Sequence, residues 1–178
     1  MKGIILYKSK YGATKKYAQW LSEATGFEML ETGKATVAGL KDYDTIILGG
    51  GIYAHGIAGI AFLKKNFQAL KDKKLIVFCD GASPFEQKAF DEIRKLNMKG
   101  ELADIPLFYC RGTFDLKSMT FIDRKLCQML QKAVAKKEPD KLEVWEKALM
   151  ETGNQQGDWT GDWTDKAYLE PILKELGL

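Results

Sequence analysis

Short runs of hydrophobic residues recur along the chain, and stretches of helical periodicity separate them. Four runs are almost continuously apolar, which is typical of strands buried on both faces of a sheet. One run alternates apolar with polar residues, which predicts a half-buried strand at a sheet edge. In chain order the runs are 3–7, 27–31 (the alternating one), 45–48, 75–79 and 106–110. The pattern therefore predicts an α/β fold, with a parallel sheet covered by helices on both faces.

The periodic stretches predict the helices of this fold. The first has one face at helical spacing, made of Thr14, Tyr17, Ala18, Leu21 and Ala24. A short helix or turn is expected over 37–43, a helix over 61–70, and another that has Pro84 in its first turn and ends near residue 96. Five strands at this spacing favour the order 2-1-3-4-5, whose ligand crevice lies beyond the strand C-termini, between strands one and three.

More than sixty residues follow the fifth strand, where a minimal fold of this kind needs one closing helix. An apolar stripe at helical spacing predicts an extra amphipathic helix, formed by Met119, Ile122, Leu126, Leu130 and Val134. A second helix is expected over 140–151, a loop at the tandem Gly-Asp-Trp-Thr of 157–164, and the closing helix over 167–176. We expect one domain, 1–178, with 114–164 as an insertion. That insertion could line a pocket, dock a partner or touch a membrane, but its stripe favours packing against the core.

The turn after the first strand has the composition of a phosphate site. It is Ser9-Lys10-Tyr11-Gly12-Ala13-Thr14, and it joins a strand to a helix N-terminus, where free N–H groups and the helix dipole attract anions. Ser9 and Thr14 add hydroxyls, Gly12 lets the backbone approach a ligand closely, and Lys10 adds positive charge. The glycine-rich loops of nucleoside triphosphatases and of dinucleotide-binding folds are both absent here. The alternative is a capped turn that binds nothing.

Two further loops lie where the crevice is expected. The second, 49–56, contains Gly50, Gly51, Ile52, Tyr53 and Ala54, and Tyr53 is a candidate for stacking on a flat ring. The alternative places Tyr53 at a rim and the glycines in tight packing. The third loop begins with Asp80, Gly81 and Ala82, which could offer polar groups to the edge of that ring. Its alternative is a helix cap, made by Asp80 or Ser83.

The first turn resembles the phosphate loop of the flavodoxins, Ser/Thr-x-Thr-Gly-x-Thr, with Tyr11 where threonine is usual. This resemblance implies a flavodoxin-like three-layer sandwich that binds FMN through residues of the three loops. They are Ser9, Lys10, Tyr11, Gly12, Ala13, Thr14, Gly50, Gly51, Ile52, Tyr53, Ala54, Asp80, Gly81 and Ala82. No catalytic side chain is implied, because the chemistry takes place on the flavin.

Three short C-terminal stretches resemble the flavodoxin-domain subgroup that includes menaquinone-dependent protoporphyrinogen oxidase. They are Arg111-Gly112, the stretch 121–124 and the stretch 163–165. The resemblance implies an oxidoreductase that passes electrons or hydride through the flavin to a quinone or another small acceptor. The subgroup is richer in arginine and aromatic residues over 115–125, so its particular substrate does not carry over. For Arg111, a salt-bridge or solvent role and a substrate contact are equally open.

Composition narrows these alternatives. Three cysteines without Cys-x-x-Cys spacing and a single histidine, His55, argue against zinc, dithiol and His-based catalytic sites. A net charge of +3 is mild, so no nucleic-acid partner is expected, and it differs from the strong acidity of electron-shuttling flavodoxins. A non-enzymatic electron carrier and a cofactor-free binding module of the same fold remain alternatives. We expect a cytoplasmic protein without a secretory leader or membrane span, with peripheral membrane contact left open.

Overall fold

Five parallel strands form the central sheet of the computed structural model, which describes residues 2–151 and 160–178. The five parallel strands are β1 (Gly3–Lys8), β2 (Glu28–Glu31), β3 (Thr45–Tyr53), β5 (Lys74–Gly81) and β6 (Leu107–Arg111). A short strand, β4 (Gly56–Ile57), pairs antiparallel with the end of β3. The order of the parallel strands is β2-β1-β3-β5-β6, which confirms the predicted order of the five apolar runs. The alternating run, β2, lies at one edge of the sheet as predicted, with Leu30 packed against the core on one face and Met29 against the core on the other.

Helices cover both faces of this sheet. On one face lie α2 (Ile60–Leu70) and α3 (Gln87–Asn97), and on the other lie α1 (Ala13–Thr25) and α6 (Glu170–Leu176). Successive side chains of a strand point to opposite faces. In β1, for example, Leu6 packs in the core beneath α2 and Ile5 packs beneath α1. The predicted flavodoxin-like three-layer sandwich is therefore confirmed.

The glycine triplet 49–51 belongs to β3, so the prediction of a loop over 49–56 is wrong for most of that range. A Cβ on Gly49 would lie 2.1 Å from the ring of Phe78, and one on Gly50 would lie 2.0 Å from the carbonyl oxygen of Ala58. Neighbouring groups thus fill the space that side chains would need, and the strand continues through the glycines. Only Ala54 and the residue after it make a turn, both with positive φ.

The third helix also differs from its prediction. It begins at Gln87, so Pro84 precedes it and is not in its first turn. Glu86 stands at the N-cap without a side-chain hydrogen bond, so the alternative of a cap by Ser83 is wrong as well. Asp80 cannot cap this helix either, because it is still part of β5.

The segment after β6 forms a two-stranded antiparallel sheet and two helices. Strands β7 (Thr113–Asp115) and β8 (Thr160–Asp162) pair antiparallel, and between them lie α4 (Phe121–Val134) and α5 (Val144–Glu151). Part of the tandem Gly-Asp-Trp-Thr is thus a strand where a loop was expected, and residues 152–159 lie outside the described ranges. None of the helices in the described ranges is long and apolar enough to cross a bilayer.

The predicted packing of the α4 stripe against the core is mostly wrong. Val134 is buried, but Ile122, Leu126 and Leu130 are exposed. The buried side of α4 instead includes Gln131, one turn before Val134. Periodicity identified the helix correctly, but the apolar stripe faces away from the core.

Candidate cofactor site

A cavity of about 440 Å³ lies at the C-terminal edge of the sheet, where the turns after β1, β3 and β5 converge. Its volume is within the range of small-molecule sites, roughly 300–1,000 Å³. The predicted site residues that line it are Ser9, Tyr11, Ala13, Thr14, Gly51, Ile52, Tyr53, Ala54, Asp80, Gly81 and Ala82. Lys10, Gly12 and Gly50 do not line it. The structure therefore brings the three predicted loops together at one cavity.

The phosphate loop has the geometry of an anion site. Gly12 has a φ of +99°, which favours glycine, and its amide donates to Ser9 Oγ over 3.0 Å. The Ser9 hydroxyl proton is not used in that bond. Helix α1 begins at the next residue, and the first amides of a helix have no partner within it. The loop can therefore offer an anion both backbone N–H groups and the Ser9 hydroxyl.

Tyr11 connects this loop to helix α4. Its hydroxyl and the ammonium group of Lys10 both donate to Oδ2 of Asp123, and the amide of Thr120 donates to the Tyr11 hydroxyl over 3.4 Å. The hydrogen bond from Lys10, followed by that from Tyr11, holds the pKa of Asp123 below its ordinary value. The Tyr11 ring also meets the Tyr53 ring edge to face, with 6.3 Å between centroids. The residue that departs from the flavodoxin pattern thus joins two walls of the cavity.

A buried carboxyl group, that of Asp80, lies beneath the phosphate loop. The Thr14 hydroxyl donates to Asp80 Oδ2 over 2.6 Å, and Asp80 is only 6% exposed. Burial raises the pKa of Asp80 to about 6, although the Thr14 hydrogen bond opposes this. A Cβ on Gly112 would lie 2.9 Å from Asp80 Oδ1, so that side of the carboxyl is closely packed. The predicted contact of Asp80 with a ring edge stays a prediction.

Tyr53 stands where β3 ends, as a stacking residue would. Its ring lies over Gly51, where an added Cβ would be 2.8 Å from the Tyr53 hydroxyl oxygen. The side chain is still partly exposed, and burial of the remainder raises its pKa. His55 is exposed in the adjoining turn.

The segment after β6 forms one side of the cavity, as the pocket-lining alternative for the insertion allowed, but none of its residues was among the predicted site residues. The residues on this side are Thr113, Phe114, Met119, Asp123, Leu126, Cys127 and Leu130. We call Met119, Leu126, Cys127 and Leu130 the apolar wall. The helical stripe contains the signal for three of its members, but its spacing alone favours packing against the core.

Arg111 holds the third loop in place. Its Nε donates to the carbonyl oxygen of Ala82 over 3.0 Å, and its guanidinium lies 4.3 Å from the centroid of the Trp163 ring. The amide of Trp163 in turn donates to the carbonyl oxygen of Gly112 over 3.2 Å. Two of the short C-terminal stretches, 111–112 and 163–165, thus meet beside the cavity. Among the described residues Arg111 forms no salt bridge, and its guanidinium contacts a backbone carbonyl and an aromatic ring.

The hydrogen-bond donors and the apolar surfaces of the cavity fit FMN. First-turn amides and hydroxyls at one end suit a phosphate group, and Tyr53 together with the apolar wall suits a flat ring. A flavodoxin domain model matches residues 4–141. This chain belongs to the flavodoxin family. Membership of this family supports FMN as the cofactor, and the cavity residues predicted to hold it are those of the three loops.

Several solved flavoproteins are similar to this chain in fold. The flavodoxin-like, WrbA-like protein of Agrobacterium tumefaciens is 17% identical, with 70% of this chain and 88% of that chain covered and a TM-score of 0.48. A flavoprotein of Bacteroides eggerthii is 16% identical over 76% and 99%, with a TM-score of 0.46. The flavoprotein of Lactobacillus acidophilus in complex with FMN is 19% identical over 62% and 91%, with a TM-score of 0.40. No curated protein sequence matches this chain significantly.

Proposed function

We propose that this flavodoxin-family protein binds FMN in the cavity and acts as an oxidoreductase toward a small apolar acceptor such as a quinone. The observation that supports this most is the composition of the cavity, which has N–H and hydroxyl donors at one end and the apolar wall along one side. When bound, FMN supplies the redox chemistry, and the protein supplies binding, orientation and electrostatics.

The chain's own residues have distinct tasks in this proposal. The first-turn amides of α1 and the Ser9 hydroxyl hold the phosphate, with Lys10 nearby as a positive charge. Tyr53 would stack on the flavin ring, and the apolar wall would provide apolar contacts beside it. A protonated Asp80 can donate to the Thr14 oxygen, which frees the Thr14 hydroxyl proton for the phosphate.

The apolar wall also favours an enzyme over a general electron carrier. A carrier that meets a protein partner needs an exposed ring edge and complementary charge, and this chain has a net charge of only +3. We propose that the wall forms one side of an acceptor site, in keeping with the resemblance to the protoporphyrinogen oxidase subgroup. That resemblance does not extend to a particular substrate.

A cofactor-free binding module is the second candidate. It is favoured by the contacts of Asp123, which already engages both Lys10 and Tyr11 in the phosphate loop. A loop whose cation is already paired has less charge to offer a phosphate. This candidate predicts that purified protein has no measurable affinity for FMN.

Titration of stripped protein with FMN, followed by quenching of flavin fluorescence, tests the proposal. Thr14→Val removes a hydroxyl from the phosphate loop while preserving shape. At about pH 5, where Asp80 is protonated, it should raise the Kd about tenfold or more, as expected for a hydrogen bond to a charged group. Thr25→Val makes the same change at the other end of α1 and should leave the Kd unchanged.

Anaerobic reduction of the loaded protein then separates enzyme from carrier. Two-electron reduction and turnover with a soluble quinone analogue support the oxidoreductase. A long-lived one-electron stage without turnover supports the carrier, and failure to bind FMN supports the cofactor-free module.

A further inference from the structure

Helix α4 has an exposed apolar face that borders the cofactor cavity on one side. This α4 outer face consists of Ile122, Leu126, Met129, Leu130 and Ala133. At 100° per residue these five positions fall within one arc of about 100° on the helix. Ile122, Leu126 and Met129 are 69%, 59% and 67% exposed, and Leu130 is 42% exposed. Exposed apolar residues scattered singly are ordinary on protein surfaces, whereas these five lie side by side on one helix.

The charges along α4 are distributed asymmetrically. Lys125 and Lys132 flank the α4 outer face, are exposed, and make no ion pair within the described ranges. Phe121, which is 70% exposed, lies beside Lys125, whose Nζ is 5.1 Å from the ring centroid. The only acidic residue of the helix, Asp123, is turned toward Lys10 and the phosphate loop. The outward side of α4 is therefore apolar with a basic flank, and it contains no acidic residue.

We infer that the α4 outer face docks on an anionic lipid surface. An amphipathic helix that lies in a membrane interface has an apolar face, and lysines on its flank that attract anionic headgroups. A second copy of the chain suits this face less well. The 14-residue helix is about 21 Å long and about 10 Å wide, so it offers on the order of 200 Å². A standard protein interface buries about 800 Å² on each partner.

The α4 outer face is continuous with the cofactor cavity. Leu126 and Leu130 belong to both, because they line the cavity and are also exposed on the helix. A lipid surface against α4 would therefore lie at the mouth of the cavity. If the proposed function is correct, an apolar acceptor dissolved in the bilayer could reach the cavity without crossing water. Docking itself does not depend on that function.

Vesicle flotation tests this inference with the full chain, with and without FMN. Vesicles of phosphatidylcholine alone are compared with vesicles of phosphatidylcholine mixed with phosphatidylglycerol, at low and high salt. We expect binding to the mixed vesicles, weakened by salt. The double substitution Ile122→Asp/Met129→Asp should lower the partition coefficient about tenfold or more, because it places charge in the apolar face without touching the cavity lining. Lys125→Gln and Lys132→Gln should each lower it about fivefold.

Leu96→Asp is the matched control, because Leu96 is a 49% exposed apolar residue on α3. It should bind vesicles as the unaltered protein does. The inference is overturned if the unaltered protein binds neither vesicle type, or if Ile122→Asp/Met129→Asp binds equally well. It is also overturned if light scattering shows a dimer that this double variant dissociates, because the occupant is then a second copy. FMN titration of the same variants should be unchanged, so failure of FMN binding would count against the proposed function and not against docking.

Discussion

The buried carboxyl of Asp80 should make the stability of this protein depend on pH in a way that one substitution removes. Asp80 has a pKa of about 6 against an ordinary value of 3.8, because burial disfavours its charged form. The folded protein therefore holds a proton on Asp80 between these two values, while the unfolded chain releases it. The free energy of unfolding must therefore fall as pH rises from about 4 to about 6, and it falls no further from this cause above that range.

The magnitude follows from the two pKa values. A difference of about 2 pKa units corresponds to about 3 kcal/mol, at about 1.4 kcal/mol per unit. About 2 kcal/mol of this loss develops between pH 4 and pH 7. Asp80→Asn keeps the shape and an oxygen that can accept from Thr14, but it cannot ionise. The stability of the variant relative to the unaltered protein should therefore rise by about 2 kcal/mol across that range.

Urea unfolding of the FMN-free protein at several pH values provides the assay. The quantity of interest is the difference in free energy of unfolding between variant and unaltered protein, because other titrating groups largely cancel in it. Asp72→Asn, at an exposed turn, is the matched control and should give a difference that does not change with pH. If the Asp80→Asn difference is equally flat from pH 4 to pH 7, the argument from burial is refuted.

FMN affinity provides a second measurement on the same variant. The amide of an asparagine can donate to the Thr14 oxygen at every pH, whereas Asp80 can donate only when it is protonated. The unaltered protein should therefore bind FMN more weakly as pH rises through about 6, and Asp80→Asn should remove that dependence. A weakening that persists unchanged in the variant would exclude Asp80 as its source.

Two further predictions concern packing and charge. Gly49→Ala should lower the free energy of unfolding by about 1–3 kcal/mol, because the added Cβ would lie 2.1 Å from the Phe78 ring. Gly33→Ala is the control and should leave the free energy of unfolding unchanged, because its Cβ would meet nothing within 4 Å. Urea unfolding measures both variants. Asp123→Asn should lower the Kd for FMN about two- to fivefold, because it releases Lys10 from an ion pair and removes a negative charge near the phosphate; an unchanged or higher Kd would contradict this.

The arrangement of the sheet could be predicted from the sequence because it depends on local pattern. Each buried strand is a continuous apolar run, and parallel strands joined by helices have few arrangements open to them. The extension of β3 through Gly49 could not be predicted in this way. Glycine is depleted in strands, and the reason for its presence lies in the ring of Phe78, 29 positions further along.

Much of the site could also be predicted, because the turns after successive parallel strands necessarily meet at one edge. The contribution of α4 could not. Periodicity locates an apolar stripe, but it does not say whether the stripe faces the core, a cavity or the outside. The contact of Lys10 with Asp123 spans 113 positions, and no local pattern connects the two residues.

The pairing of β7 with β8 limits what a change in the segment between them can disturb. Thr113 and Asp162 face each other in this strand pair, so the segment between β7 and β8 begins and ends at almost the same place beside the central sheet. Everything between these points can change in length or composition while the sheet keeps its register, since loop closure costs rise slowly with loop length. Replacement of the segment between the two strands would change the apolar wall. It would also replace Asp123, whose carboxylate accepts hydrogen bonds from Lys10 and Tyr11, so the wall and the charge balance of the phosphate loop change together.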